Sequence, residues 1–463
     1  MKVHPIDIGI LLVYLAAIFL VGFFKYKKGD SLDYILMGRK LSLPAFVMTL
    51  VSTWYGGILG ASEFSTTYGI SNWVIFGMPY YLFGIIFALF VAKRARNMRV
   101  SSLPEMIASN YGLIAGRLAS VWVLLLATPA PYILTLGLLL NFFTGIPLNT
   151  GIVLGTIFSL AYIYRGGFAS VVNTDKIQFA LMFLGFIVIL SVLSVNYMSP
   201  LELWKNLPES HRSLTGGNSL GYILVWFFIG SWTLVDPGFH QRVYATTTAK
   251  VAKKGVLIAI IFWFFFDIMT TFTGLYAFSY LPSDTIPAQA FLELGNAVLP
   301  IGLQGLFFAG ILATVMSTLD SNTLISGITL GKDILGSFPL FKQYSTNRLI
   351  QISMGIILII GILLAISLPS VIDLWYTFGT ITIPALLAPT TYSILKKPIQ
   401  KRAVVLNLLF PPIISILWFL FGKSDQWGYY LGLEPFYPGL LSSLLILILF
   451  NRSTREGPHV HRL

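Results

Sequence analysis

Residues 313–327 read ATVMSTLDSNTLISG and sit inside a long apolar run. Hydroxyls and a carboxylate therefore stand where a membrane helix would present hydrocarbon. Thr314, Ser317 and Ser321 are spaced i, i+3, i+7, so they share one helical face, with Thr318 beside them. A lone Ser or Thr in an apolar helix ordinarily bonds back to its own carbonyls or across to a neighbouring helix. Four hydroxyls with a carboxylate at Asp320 ask for more. An acid at membrane depth costs about 2.5–3.5 kcal/mol even on the lenient insertion scale, and a paired or cation-binding role is the usual reason to keep one. Hydroxyl, carbonyl and carboxylate oxygens are hard ligands that suit an alkali cation better than a transition metal. Asp320 alone could instead carry a proton; sodium is favoured because a proton relay needs no hydroxyl cluster.

The elements that position these groups follow from composition. The 463 residues are 56% hydrophobic and only 10% charged, with mean hydropathy +0.81. Soluble domains average about 25% charged residues, so the chain reads as all-α and integral to a lipid bilayer. The absence of cysteine excludes disulfides, thiolate metal sites and cysteine nucleophiles. Thirteen spans are expected, near 7–24, 44–68, 73–92, 118–140, 146–164, 176–197, 219–235, 255–280, 300–328, 349–368, 371–394, 403–421 and 437–450. With the N-terminus outside and the C-terminus inside, 26 of the 30 Lys and Arg fall on inward loops, leaving Lys2, Lys205, Arg212 and Lys423 outside. That is the positive-inside asymmetry, so the net charge of +12 reports topology and no nucleic-acid partner. The stretch 198–218 reads as a surface excursion, and the two tail histidines lie too near the end to suggest a metal site.

Two of these helices carry interruptions. TLVSTWYGGILGAS holds Gly56, Gly57 and Gly60 mid-span, and WFFIGSWTLVDPG holds Gly230 and Ser231, with Pro237 and Gly238 after them. Small residues at helix contacts would explain either one alone. Unwound backbone at membrane depth, tolerated only where buried or lining a cavity, is the functional reading. The two interruptions fall at matching places in halves of opposite orientation, which points to an inverted-repeat transporter with a midplane site. One transporter domain over 1–463 follows, with repeats at about 44–197 and 219–394. The spans at 7–24, 403–421 and 437–450 are then peripheral.

The chain resembles the sodium/solute symporter family, which includes bacterial proline and sugar cotransporters. ATVMSTLDSNTLISGITLGKDI is similar to that family's signature helix, and RGGFASVVNTDKIQ and DPGFHQRVYATTTAKVAKKG fit it in order. The resemblance covers about 6–450. It implies a thirteen-span, leucine-transporter-like fold and a sodium site. Carried over, that site uses the carbonyls of Trp54, Gly57 and Thr314 with the hydroxyls of Ser317 and Thr318. A second sodium in some members maps onto Asp175, Asp320 and Ser321; Asp175 could equally cap its helix.

The resemblance does not choose a solute. Tyr55, Ser62, Glu63, Tyr132, Trp226, Ser231, Trp232, Tyr376, Thr377 and Thr380 are the local candidates, against a background of aromatics that mostly face core, lipid or interface. Glu63, if it faced the cavity, would favour an amine; at a cavity mouth it would say nothing. Asp267 is an intramembrane acid with no assigned partner. Gln241 and Arg242 read either as a basic, lipid-facing loop or as an inner gate. The function expected is sodium-coupled symport of a small polar organic solute across the cytoplasmic (inner) membrane, with no obligate protein partner. A proton-coupled carrier using Asp320 or Glu63, or a transporter-like sensor or channel, are the alternatives. An enzyme is not expected, because all five histidines lie in loops or tails and no nucleophile–base pair stands out. The short stretch after the last span leaves no room for a signalling output domain.

Overall fold

The computed structural model describes residues 3–24, 29–368, 370–424 and 428–450; the tail histidines and Lys25, Lys27 and Lys28 of the charge count lie outside them. The regular structure of the described residues is helical apart from a two-residue pairing of Lys423–Ser424 with Gly428–Tyr429 and an isolated bridge between Leu41 and Thr246. Ten helical segments, from Pro5–Phe24 to Lys401–Phe421, are long and apolar enough to cross a membrane. Two shorter apolar helices, Leu43–Ser52 and Phe436–Phe450, and the 19-residue helix Leu148–Gly166 complete the packing. The chain is a multi-pass membrane protein.

Several expected single spans are broken helices. The stretch near 44–68 is Leu43–Ser52 followed by Ile58–Tyr68, each too short to cross alone. The stretch near 118–140 divides into Leu113–Leu126 and Ala130–Thr144 at the Pro129–Pro131 pair, where the missing N–H groups cannot continue a ladder. The 220–245 region is three pieces, Leu220–Ile229, Trp232–Val235 and Pro237–Ala245. Asp236 opens the third, its Oδ1 accepting from the Phe239 N–H at 2.7 Å, with Pro237 at the first helical position.

Helix Leu303–Ile328 is buried along nearly its whole length and forms the axis of the molecule. Helix Phe168–Asn196 lies against it at a distance only glycine permits: a Cβ on Gly310 would meet the Leu181 carbonyl oxygen at 2.7 Å. The 198–218 stretch is more than a surface excursion. Its short helices Pro200–Asn206 and Glu209–Arg212 end in a half-turn where the Ile70 N–H donates to the His211 carbonyl at 3.0 Å. The His211 Nε2 also lies 2.9 Å from the Thr66 carbonyl oxygen, which ties this stretch to the end of Ile58–Tyr68.

The first helix contributes a carboxylate to the end of the axis, besides the Tyr14 hydroxyl that donates to the Met316 sulfur at 3.9 Å. Asp7 is fully buried, and its Oδ1 accepts from the N–H groups of both Gly302 and Gly305, each at 2.7 Å. A carboxylate from one helix thereby caps the N-terminus of another, meeting amides that have no partner inside their own helix. Asp7→Ala is expected to cost about 1–2 kcal/mol and lower the melting temperature in detergent, whereas Asp7→Asn, still an acceptor, should recover most of it. Equal melting of the Ala variant and the parent would remove this contact from the account.

Candidate functional site

The site begins where helix Leu43–Ser52 stops. The Thr53 and Trp54 N–H groups still bond back, to Thr49 at 3.3 Å and Val51 at 3.2 Å, and the next helix starts with Gly60 and Ala61 donating to the Gly57 carbonyl. Between them, the carbonyls of Trp54, Tyr55 and Gly56 accept no hydrogen bond from the described residues. Tyr55 and Gly56 are buried, so these oxygens are withdrawn from bulk water. An unpaired buried carbonyl costs on the order of 1–3 kcal/mol, which a cation would offset. The glycines are required by what covers the break. A Cβ on Gly56 would lie 2.4 Å from the Thr318 Cβ, and one on Gly57 would lie 1.3 Å from the Trp375 ring.

Helix Leu303–Ile328 brings its hydroxyl face to this break. Thr318 Oγ1 lies 2.8 Å from the Thr53 carbonyl and 3.1 Å from the Thr314 carbonyl. Ser317 Oγ donates to Asp175 Oδ1 at 2.6 Å and stands 3.0 Å from Ser52 Oγ and 3.2 Å from Thr53 Oγ1. All of these oxygens are hard ligands and almost all are fully buried. Arg242 completes the network. Its Nη2 donates to Thr53 Oγ1 at 2.6 Å and Ser321 Oγ at 2.8 Å, its Nε donates to Thr49 Oγ1 at 3.1 Å, and Asp175 Oδ2 lies 3.6 Å away. Thr49 in turn donates to Asp175. Arg242 is wholly buried, so it is no lipid-facing loop residue, and a guanidinium does reach the middle of the helix assembly. Such a group is retained because every donor finds an oxygen and one carboxylate offsets its charge.

A cavity of about 130 Å³ adjoins the break, smaller than the ~300 Å³ of drug-sized pockets. Its walls are aromatic: Trp54, Tyr55, Tyr80, Tyr132, Trp226 and Trp375. Thr53, Trp54, Gly57 and Thr318 belong both to this wall and to the oxygen cluster, so a solute in the cavity and an ion in the cluster would share residues.

A model of the sodium:solute symporter family matches residues 34–373. The chain belongs to the sodium:solute symporter family. Among its relatives are the high-affinity proline transporter PutP of Bacillus subtilis (strain 168), 25% identical with 92% of this chain and 93% of that protein covered, and the sodium/pantothenate symporter of Escherichia coli (strain K12), 25% identical with 97% and 96% covered. Among solved structures, the substrate-bound outward-open state of a Na+-coupled sialic acid symporter matches with a TM-score of 0.81 at 19% identity, covering 97% of both chains. MhsT in complex with L-phenylalanine matches at 0.52 and 13% identity. These likenesses show the leucine-transporter-like fold. The family's members are transporters, and the chain is not an enzyme.

In this symporter-family chain the residues named from sequence are brought together unevenly. Trp54, Gly57, Thr314, Ser317 and Thr318 meet at the break, with Gly57 contributing a carbonyl already engaged by its own helix. Asp175 and Ser321 join the cluster on either side of the Arg242 guanidinium. Asp320 does not. One residue before Ser321, it is rotated about 100° around the helix, and its carboxylate accepts instead from Ser159 at 2.7 Å and from Tyr162. Of the solute candidates, Tyr55, Tyr132, Trp226 and Trp232 line the cavity. Ser62 is spent on the Pro287 carbonyl and the Phe291 N–H, and Glu63 is not among the lining residues. Tyr376 donates to Glu434, and Ser231, Thr377 and Thr380 are not in the lining. Trp375 takes the place expected of Tyr376, one residue away and a third of a turn around the helix.

Asn72, Asp236, Asp267 and Asn322 are polar lining residues that the sequence did not place there. A polar side chain in an apolar run was the available signal, and for Asp267 that signal was seen without a partner to interpret it. The close approach at the break generates a test. Gly56→Ala should push Thr318 from the freed carbonyls and abolish any sodium-specific rise in melting temperature, with the helical circular-dichroism signal retained. A sodium response equal to the parent's would separate Gly56 from the ion cluster.

Proposed function

We propose that this chain is a sodium-coupled symporter carrying a small polar organic solute into the cytoplasm across the inner membrane. The observation that carries it is the shared wall: the freed carbonyls of 54–56 and the hydroxyls of Ser317 and Thr318 adjoin a small aromatic cavity through Thr53, Trp54 and Thr318. Sodium held between the break and helix Leu303–Ile328 would draw the two together and order that wall. The solute would then bind better to the sodium-loaded state, and sodium to the solute-loaded one, by the same factor. Thirteen spans, two inverted repeats and an outside N-terminus give the alternating-access frame, and the relatives' sodium/pantothenate and proline transport supports the class. The Trp54 and Thr314 carbonyls and the Ser317 and Thr318 hydroxyls would hold the sodium ion, with the Gly57 carbonyl at the edge of the set.

Arg242 acts as the inner gate in this scheme. It ties helix Pro237–Ala245 to Thr49, Thr53, Asp175 and Ser321, which belong to three other helices or their ends. Releasing an ion inward then requires those four contacts to open. Asp175 and Ser321 would serve a second ion only once the guanidinium has moved.

One observation favours a second coupling ion elsewhere. Asp320 is fully buried against Ser159 and Tyr162, and no Lys, Arg or His of the described residues lies within ion-pair distance. A proton on Asp320 would neutralise it.

The purified protein should melt higher in NaCl than in equimolar KCl, and Ser317→Ala should remove the difference. Saturation at a hundredfold over Kd would add about 2.7 kcal/mol by linkage. Uptake into proteoliposomes should follow an inward sodium gradient. Uptake driven by a pH gradient without sodium, and lost in Asp320→Asn, would replace the sodium reading with the proton one.

A further inference from the structure

The cavity holds an acid that neither the ion cluster nor the gate uses. Asp267, on helix Ala249–Tyr280, is buried and lines the cavity. The Tyr81 hydroxyl donates to one of its oxygens, and Tyr55 stands beside it with its own hydroxyl turned to the Trp263 carbonyl at 3.0 Å. No Lys, Arg or His of the described residues comes within ion-pair distance of it. The other acid in the lining, Asp236, is accounted for: it caps its helix, accepts from Trp232 Nε1 at 3.0 Å and faces Arg242. Asp267 is therefore an acid of the lining with neither a cation of the described residues nor a capping role, in aromatic surroundings where an isolated anion is costly.

Two further polar atoms in the lining lack partners. Asn72 is buried and gives its amide N–H to Thr271 Oγ1 at 3.0 Å, but its Oδ1 accepts nothing. Trp226 is buried, and its Nε1 has no acceptor within hydrogen-bond geometry among the described residues, the Tyr222 ring being its neighbour at 6.3 Å between centroids. A carboxylate and an amide oxygen ask for an N–H-bearing cation; an indole N–H asks for an acceptor on the same molecule. Trp54, Tyr80 and Tyr132 are among the lining residues, and aromatic rings are surroundings that attract an ammonium through the ring quadrupole.

We propose that the solute is a small protonated primary or secondary amine carrying a hydroxyl or carbonyl acceptor, with Asp267 as the counter-charge of its ammonium. This deepens the symport reading and rests on it. It also separates solutes by charge. A net cation satisfies Asp267 with no charge left over, a zwitterion leaves its own carboxylate to be accommodated, and an anion meets repulsion.

The test uses four probes of one shape in NaCl: prolinol (cation), proline (zwitterion), tetrahydrofurfuryl alcohol (neutral) and tetrahydrofuran-2-carboxylate (anion). Prolinol should raise the melting temperature most, proline less, the neutral isostere little and the anion not at all. Asp267→Asn should weaken apparent prolinol affinity roughly tenfold or more, as expected for removing one partner of a desolvated charge pair. The sodium-against-potassium difference should stay as in the parent, and its loss in the parent would count against the symport reading rather than this one. Should Asp267→Asn not fold, Asn72→Leu supplies the second variant, with the same direction expected. Equal shifts from prolinol and its oxygen isostere, no shift from prolinol in a sodium-responsive protein, or an unchanged prolinol affinity in Asp267→Asn would each overturn the assignment. In the last case Asp267 only holds Tyr81.

Discussion

A helix that stops inside an apolar assembly leaves carbonyls that neither lipid nor hydrocarbon side chains can satisfy. That constraint at Trp54–Gly56 organises the middle of this protein. The break must be covered, and glycine at 56 and 57 lets Thr318 and the Trp375 ring come close enough to cover it. The covering helix, Leu303–Ile328, meets the break with hydroxyls rather than methyl groups, and it is positioned from its far end by the Asp7 cap. One discontinuity thus provides both a set of oxygen ligands and one wall of the adjoining cavity.

Charge divides the assembly into regions with different chemistry. Around Ser317 and Ser321 the cation is built in: Arg242 holds hydroxyls and Asp175 together and is balanced by them. Around Asp320 and around Asp267 no cation of the described chain is at hand, and neutral hydroxyls attend the carboxylates: Ser159 and Tyr162 at the first, Tyr81 at the second. Buried acids of the second kind are poised for a mobile positive charge, whereas the first kind resists opening. A carrier needs both, since a site that is always neutralised from within has nothing to exchange with a gradient.

Much of this was legible before any coordinates. The sparse charges and their loop bias identify a multi-span membrane chain, and the glycines at 56, 57 and 230 mark the helix breaks at those positions. The hydroxyl face of 314–321 was readable from spacing alone. Side-chain direction around a helix was harder. The family resemblance maps Asp320 and Ser321 onto one second sodium site, yet 100° of rotation around the helix sends Asp320 to Ser159 and Tyr162. Tyr376 was chosen where Trp375 faces the site, the same error of phase. Arg242 reads from sequence either as a basic loop or as an inner gate, and the helix that Asp236 and Pro237 start there carries it inward.

The sequence by itself determined the class of molecule, the family and the hydroxyl-rich face of 314–321, because periodicity, loop charge and local motifs are properties of neighbours along the chain. Tertiary structure decided which acids stand alone. Whether Asp267 faces an aromatic cavity, whether Arg242 neutralises Asp175 and whether Glu63 lines that cavity depend on helices distant in sequence. A buried charge takes its meaning from what lies within a few ångströms of it, and in a bundle of broken helices those neighbours come from other parts of the chain.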